Sequence, residues 1–337
     1  MKELLSILNY VPEFEGLIAA LDAGQSPALV AGLSPVHRAH FAAGLHTRLE
    51  RPVVLVCADE AEAQRLAADL AAFTGETVTL LPCREFLFHD GAAASRDWEH
   101  LRLGAFYDMA EGKTSLIVAT VEGLMQRTLP PEELAAHTVV IEQGGQYDLA
   151  DLADRLSAMG YARCQQVEGV GQFALRGGIL DVYSPAQDHP VRIEFWDADV
   201  DSMGLFDVDS QRRVARLERA VFLPVSEALP TRDETGAWQR TPDRLLPGRY
   251  QTLATAVHHL PPDAVVCFSE SGRVAERAKT WLWQLNEDVK TLIEGEVIDG
   301  RRAVFAADLG ELMGMLADFP VCFFDSFASS ATPAPPK

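Results

Sequence analysis

A short apolar run near the start of the chain is followed by a glycine-containing turn and a helix, which is the order found in phosphate-binding loops. The run Ala28–Ala31 precedes residues Gly32 to His40, GLSPVHRAH. A working loop has the pattern GxxxxGK[ST]: its glycines let backbone N–H groups approach the phosphates, its Lys contacts the terminal phosphates and its hydroxyl contacts magnesium. The second Gly, the Lys and the Ser or Thr are absent here, and Pro35 removes one N–H donor.

The metal position that accompanies such a loop is altered as well. In nucleotide hydrolases an apolar strand ends in Asp-Glu, and the Asp positions magnesium. The corresponding run here ends in Ser269 and Glu270. We therefore predict a degenerate nucleotide site, formed by Gly32, His37, Arg38, Ser269 and Glu270, with no catalytic residue. Weak nucleotide binding without hydrolysis is the alternative.

A second group of residues has the composition of a protein–protein contact. Alternation over residues 191–196, VRIEFW, places apolar side chains on one strand face and Arg192 and Trp196 on the other. Arg176 precedes Gly177-Gly178 on a neighbouring predicted strand. Trp and Arg are enriched at interface centres, so these three residues predict a partner-binding surface.

Two expectations and one alternative concern this surface. We expect Arg192 and Trp196 to lie roughly 6–7 Å apart along the strand, close enough for one pair of pockets on a partner. Each guanidinium would bind a partner carboxylate through paired N–H bonds. In the alternative, Trp196 packs under a loop and the arginines are only solvated, because a half-buried strand needs both faces covered.

Other residue types that could do chemistry do not have the spacing of metal sites. Histidines cluster loosely at positions 37–46 and 258–259, without the further ligands that define a zinc site. The five cysteines are widely spaced and form no CxxC pair, which predicts reduced thiols. The acidic run Asp197–Asp201 lacks the distal Glu of a calcium loop and predicts a hairpin turn. We expect no metal and no cofactor for this chain.

Two kinds of secondary structure must position these residues. Strands and helices alternate to about residue 137 and return after residue 224, which predicts a parallel sheet with right-handed crossovers. Between these parts, a helix capped by Asp148 and ended by Gly160 is followed only by strands, which predicts an inserted α+β domain. Outside this insert, strands are expected at residues 28–31, 53–57, 115–120, 263–269 and 321–324, and a loop at 82–94. Helices are expected at 1–24 with a break at Pro12, from the glycine-containing turn to 49, through 63–73, and at 98–111, from 121 to Pro130-Pro131, 250–260 and 273–285.

Composition and charge limit the classes of function. The 337 residues are 48% hydrophobic and 23% charged, which suits two or three globular domains. A net charge of −20 repels phosphate backbones, so tight unassisted binding to DNA or RNA is not expected. No run of 18 apolar residues and no signal-peptide pattern is present, so we expect a cytoplasmic protein. The tail SSATPAPPK predicts a linker cut within a longer protein.

The segments FALRGGILDVYSP and VRIEFWDADVDSMGLFDVDSQRRV closely resemble the N-terminal region of the bacterial transcription-repair coupling factor (Mfd) family, the part related to the excision nuclease subunit UvrB. The resemblance covers essentially the whole chain, and these two segments are its most specific portion. It implies a helicase-like α/β domain in two halves, 1–137 and 223–330, interrupted by a UvrA-binding insert, 138–222, and followed by a linker, 331–337.

The resemblance also implies residues and partners. The family's UvrA-contacting positions match Arg176, Arg192 and Trp196, with Trp where Phe is common, so the aromatic pocket is expected to differ in shape. The domains that contact RNA polymerase and DNA, with ATP and magnesium as cofactors of the translocase, would lie beyond Lys337. A C-terminal domain of the parent protein would mask the UvrA surface until RNA polymerase is engaged.

Three functions are compatible with these observations. The expected one is a non-catalytic adaptor that recruits UvrA in transcription-coupled nucleotide excision repair. The first alternative is an ATP-dependent DNA-remodelling enzyme like UvrB, which would need the Lys and Asp-Glu motifs. The second is a purely structural module that packs against other domains of the parent protein.

Overall fold

The computed structural model describes residues 2–88, 96–252, 254–300 and 303–327. The linker predicted at 331–337 lies outside these residues, as does part of the loop expected at 82–94. The helices are α1 (Lys2–Ser6), α2 (Pro12–Asp22), α3 (Pro35–Leu49), α4 (Glu60–Thr74), α5 (Asp97–Ala110), α6 (Val121–Met125), α7 (Pro131–Ala136), α8 (Leu149–Ala158), α9 (Leu246–Arg249), α10 (Ser271–Glu294) and α11 (Leu309–Met315), with 3-10 turns at Ile7–Tyr10, Asp243–Leu245 and Ala256–His259.

The strands in these residues are β1 (Ala28–Ala31), β2 (Val53–Cys57), β3 (Thr79–Leu81), β4 (Leu116–Thr120), β5 (Arg127–Thr128), β6 (Val139–Glu142), β7 (Ala162–Arg163), β8 (Gln172–Arg176), β9 (Ile179–Tyr183), β10 (Val191–Trp196), β11 (Asp199–Phe206), β12 (Arg213–Arg216), β13 (Arg219–Phe222), β14 (Thr231–Arg232), β15 (Trp238–Gln239), β16 (Ala254–Thr255), β17 (Val265–Ser269) and β18 (Val321–Asp325). The chain divides into two compact units. Unit 1 contains Met1–Glu85, Asp108–Arg127 and Ala254–Lys337, and unit 2 contains Phe86–Tyr107 and Thr128–Leu253.

Unit 1 is built on a six-stranded parallel sheet with the strand order β1-β18-β17-β2-β4-β3. Strands β2, β4, β17 and β18 are buried along their whole length. Such strands are near-continuous apolar runs because helices cover both faces of a parallel sheet. The predicted α/β class and parallel sheet are therefore confirmed, and strands from both ends of the sequence share one sheet.

Some local predictions for unit 1 are wrong. A helix was expected over 250–260, but a two-residue strand, β16, and the 3-10 turn Ala256–His259 are found there. Helix α6 ends at Met125 rather than at the proline pair, and α10 continues to Glu294. The apolar spacing is similar in short helices and in buried turns, so it does not define these ends.

The N-terminal helical segments break at Val11–Pro12, as predicted. Their apolar residues, which include Phe14 and Leu17, belong to the core of unit 1. No single helix among the described residues is long and apolar enough to cross a membrane. Only the pair Leu4–Tyr10 and Pro12–Asp22, bent by 81°, meets that length and composition together.

Unit 2 contains the sheet that carries the predicted binding residues. Its strand order is β12-β11-β10-β9-β8-β7, antiparallel except for the short β7–β8 pair. Helix α8 begins at Asp148, whose carboxylate accepts hydrogen bonds from the N–H groups of Ala150 and Asp151, as predicted. Leu152 and Leu156 of this helix pack into the same core as the inner face of the sheet. Packing against α8 fixes the backbone of the sheet, and this fixed backbone positions the side chains of the outer face, which points away from the core.

Candidate functional site

The carboxylate of Asp181 holds two of the three predicted binding residues on the outer face of the unit 2 sheet. Asp181 lies in β9 and is 1% exposed. It is paired in register with Arg192 of β10. Its Oδ1 accepts a 2.7 Å hydrogen bond from Arg192 Nε, and its Oδ2 accepts 2.8 Å bonds from Nη2 of Arg192 and Nη2 of Arg176. One buried negative charge therefore supports two cations on this face.

Arg192 is held rigidly by its surroundings. Its guanidinium carbon lies 4.4 Å from the centre of the Phe206 ring, and Nη2 also donates to Oε1 of Gln211 at 2.8 Å. The hydrogen bonds to Asp181 raise the pKa of Arg192, and burial opposes this shift. The paired N–H bonds that we expected to bind a partner carboxylate are thus made within the chain. Arg192 is preorganised, and a partner would meet the remaining edge of its guanidinium.

Trp196 projects from the end of this face. It is the last residue of β10 and is 81% exposed, so the alternative in which it packs under a loop is wrong. The turn after it begins at Asp197, which has a φ of 57°, and leads directly into β11. This geometry confirms the hairpin predicted for the acidic run.

The expected spacing of Arg192 and Trp196 is wrong. The two residues are four positions apart with Glu194 between them, which corresponds to about 13 Å along a strand rather than 6–7 Å. The register of β10 and β11 also shifts between Glu194 and Phe195. Arg192 and Trp196 share a face but would enter separate positions on a partner.

The sequence analysis did not identify Asp181 as part of this site. Alternation along β9 places Asp181 opposite the core residues Leu180 and Val182, so its outward direction was readable. Its pairing with Arg192 depends on strand register, which no spacing in the sequence specifies. The role of the three residues in partner binding remains a prediction.

In unit 1, Arg38 occupies the Lys position of the GxxxxGK[ST] pattern when the pattern is counted from Gly32. Its side chain is buried and points at the ends of β17 and β18. Nη1 donates to the hydroxyl of Ser269 at 2.7 Å, and Nη2 donates to Oε1 of Glu270 at 2.8 Å. Glu62 Oε1 lies 3.3 Å from Nη1. The cation is therefore bound by the chain's own carboxylates.

The remaining members of this cluster close it further. Ser269 donates to Glu62 Oε1 at 2.8 Å, and the hydroxyl of Ser326 donates to Glu270. Gly32 has a φ of 90°, and Ser34 Oγ lies 3.1 Å from His37 Nδ1. All five predicted residues of the degenerate site thus lie at or near the carboxyl ends of the strands of this sheet. The carboxylates of Glu62 and Glu270 occupy the space around Arg38 that a bound phosphate would need.

The described residues contain no group of three or more His, Cys, Asp or Glu side chains arranged to hold a metal ion. All five cysteines are free thiols, in agreement with the prediction from their spacing. Cys267 and Cys322 face each other across β17 and β18, and burial raises the pKa of Cys267.

Comparisons with known proteins agree with the resemblance found in the sequence. Residues 139–227 match the family described as the UvrB interaction domain. The chain is 37% identical over 230 residues to the transcription-repair-coupling factor of Myxococcus xanthus, covering 66% of this chain and 19% of the relative. It is 31% identical over 231 residues to that of Bacillus subtilis, covering 68% and 20%, and 24% identical over 348 residues to that of Staphylococcus aureus strain USA300, covering 91% and 30%. The chain thus spans 19–30% of the length of these relatives.

Proposed function

We propose that this chain is a non-catalytic adaptor that recruits UvrA during transcription-coupled nucleotide excision repair. It contains a match to the UvrB interaction domain and is similar over most of its length to part of the transcription-repair-coupling factors. The parent protein would be an ATP-dependent DNA translocase in the cytoplasm. Its other regions would bind RNA polymerase, DNA, ATP and magnesium.

The observation that carries this proposal is the outer face of the unit 2 sheet. Trp196 is 81% exposed, and Arg176 and Arg192 are fixed on the buried carboxylate of Asp181. A large exposed aromatic side chain costs solvation free energy that a partner recovers on binding. Arginines held in one geometry lose little side-chain entropy when a partner binds. Rigid Arg and exposed Trp on one face are the features expected of interface hot spots.

The proposal that this chain is non-catalytic is supported by the Arg38 cluster. ATP hydrolysis needs a cation that is available to the terminal phosphates and a carboxylate that holds magnesium. Arg38 is instead bound by Glu62 and Glu270, and Ser269 replaces the magnesium-positioning Asp. An incoming triphosphate would have to displace these ion pairs and approach two carboxylates.

A pull-down with purified UvrA tests the proposal against both alternatives. The adaptor should retain UvrA without ATP, and the retained fraction should not change when ATP and magnesium are added. A UvrB-like enzyme would hydrolyse ATP in the same mixture. A module that only packs against the rest of its parent protein would retain no UvrA, and this result would refute the proposal.

A further inference from the structure

Two more arginines share the outer face of the unit 2 sheet, on the far side of β11. Gly204 of β11 is paired in register with Arg192 on one side and with Arg216 of the edge strand β12 on the other. Residues directly opposite each other in antiparallel strands point to the same face. Arg216 therefore points in the same direction as Arg192.

A β-bulge in β12 adds Arg213 to this face. Phe206 pairs with Arg213 but Leu205 pairs with Ala215, so Val214 is the extra residue. Without it, residues 213 and 216 would point to opposite faces, because strand side chains alternate. The side-chain contact agrees with this direction, since Arg213 Nη2 donates to Ser202 Oγ at 3.1 Å on the same face.

Gly204 lies between Arg192 and Arg216 in register, close to the side chain of Arg213. A Cβ atom at this position would lie 2.3 Å from the carbonyl oxygen of Ala215 and 3.2 Å from Nε of Arg213. Any larger residue would therefore push β12 or Arg213 away. Strands are spaced by about 4.8 Å, so the backbones at Arg192 and Arg216 are roughly 10 Å apart. The side chain of Arg213 therefore packs over Gly204, between Arg192 of β10 and Arg216 of β12.

The arginines of β12 contrast with the net charge of −20 of the whole chain. Among the described residues, Arg213 has only a distant carboxylate, Glu194 Oε1 at 3.8 Å from Nη2, and Arg216 has no carboxylate within 4 Å. Both arginines are exposed. By register the outer face then carries four arginines against three carboxylates, those of Asp181, Glu194 and Asp199.

We propose that Arg213 and Arg216 of the edge strand β12 form an electrostatic rim of the binding face that receives acidic side chains of the same protein partner. The inference rests on the proposed function and extends it. Exposed charges at an interface edge act mainly on the rate of association, whereas buried hot spots act on dissociation. The rim should therefore guide UvrA to the face, and Trp196 should hold it there.

Protein carboxylates suit this rim better than nucleic acid does. The repulsion between a chain of charge −20 and a phosphate backbone acts over the whole surface. The rim also shares its face with an exposed Trp196 and a fixed Arg192, which complement a folded protein surface. Binding to duplex DNA is retained as an outcome of the test that would contradict the proposal.

The test measures association and dissociation rates of purified UvrA by biolayer interferometry at 50, 150 and 500 mM NaCl. The variants are Arg213→Ala/Arg216→Glu, Trp196→Ala and Arg48→Glu, which changes an exposed arginine in unit 1. We expect the rim variant to associate about threefold or more slowly at 50 mM salt, with the difference vanishing at 500 mM. Its dissociation rate should stay within about twofold, and Arg48→Glu should behave like the parent.

Each other result has one meaning. If the rim variant associates as fast as the unmodified chain while Trp196→Ala dissociates faster, the rim proposal is wrong and the proposed function is unaffected. If the unmodified chain does not bind UvrA, the proposed function is wrong, and the rim proposal that rests on it is wrong as well. If the rim variant loses binding to a 30-base-pair duplex but not to UvrA, the arginines serve nucleic acid and the inference is overturned. Thermal melting of every variant separates these results from unfolding.

Discussion

Replacing Trp196 by Ala should weaken UvrA binding without weakening the fold. Trp196 is 81% exposed, so roughly 200 Å² of its surface can be covered by a partner. At about 25 cal/mol per Å², complete burial contributes at most about 5 kcal/mol. Side-chain ordering and incomplete burial reduce this value, which leaves a loss of about 2 kcal/mol or more for the Ala variant. That loss corresponds to roughly a thirtyfold increase in Kd.

The fold should be almost unaffected by this change. An exposed side chain contributes little to the core, so the free energy of unfolding should change by less than about 0.5 kcal/mol. Isothermal titration calorimetry with purified UvrA measures the affinity, and thermal melting measures the stability. Trp196→Phe should retain most of the affinity because an aromatic ring remains at this position.

Trp283→Ala is the matched control. Trp283 is 63% exposed on α10 in unit 1, so the same chemical change is made on a different surface. This control should bind UvrA like the parent. The reasoning fails if Trp196→Ala keeps an affinity within about twofold of the parent. It also fails if both Trp variants lose equal affinity, or if the loss at Trp196 follows a lower melting temperature.

Four further predictions concern the Arg38 cluster, nucleotide, DNA and pH. Arg38→Ala leaves Glu62 and Glu270 without their cation and should destabilise the fold by about 3–5 kcal/mol in urea denaturation; a change below about 1 kcal/mol, the size expected of a surface variant, would contradict this. The chain should release no phosphate from ATP above a buffer blank, and turnover abolished by Glu270→Gln would show a working site. Duplex DNA should bind no tighter than about 10⁻⁶ M at 150 mM salt in fluorescence anisotropy, and a sub-micromolar complex would refute the charge argument. Burial in the folded state lowers the pKa of His100 below the value of about 6.5 that it has in the unfolded chain. Below about pH 6.5 the unfolded state therefore binds a proton that the folded state does not. Stability should therefore fall as the pH falls from 7.5 to 5.5, and less so in His100→Gln; equal slopes for both proteins would show that another group is responsible.

The sequence predicted the parts of the fold that depend on local pattern. Strands β1 and β2 lie at the residues expected, because a short apolar run between turn signals has few other structures in an α/β protein. The outward direction of Arg192 and Trp196 followed from alternation alone. Helix α8 was recognisable from its capping Asp148.

Features that depend on long-range pairing were not predictable. Asp181 becomes the anchor of two arginines only through the register of three strands. The bulge at Val214 reverses the direction of neighbouring side chains, and no residue type in β12 signals it. Arg38 looked like one more lost motif residue, but its burial depends on Glu270, 232 positions later in the chain.

The position of β1 in the unit 1 sheet has a consequence for the order of events during synthesis. Within the described residues, β1 is an edge strand whose one partner is β18, and their registered residues Ala28 and Cys322 are almost 300 positions apart. The consecutive strands β7 to β12 find their partners within residues 162–216. During synthesis the strands of the unit 2 sheet can therefore pair early, whereas Ala28–Ala31 stays unpaired until β18 has been made. Because closing long loops slows folding, we expect the segment around β1 to stay unpaired longer than the strands of the unit 2 sheet.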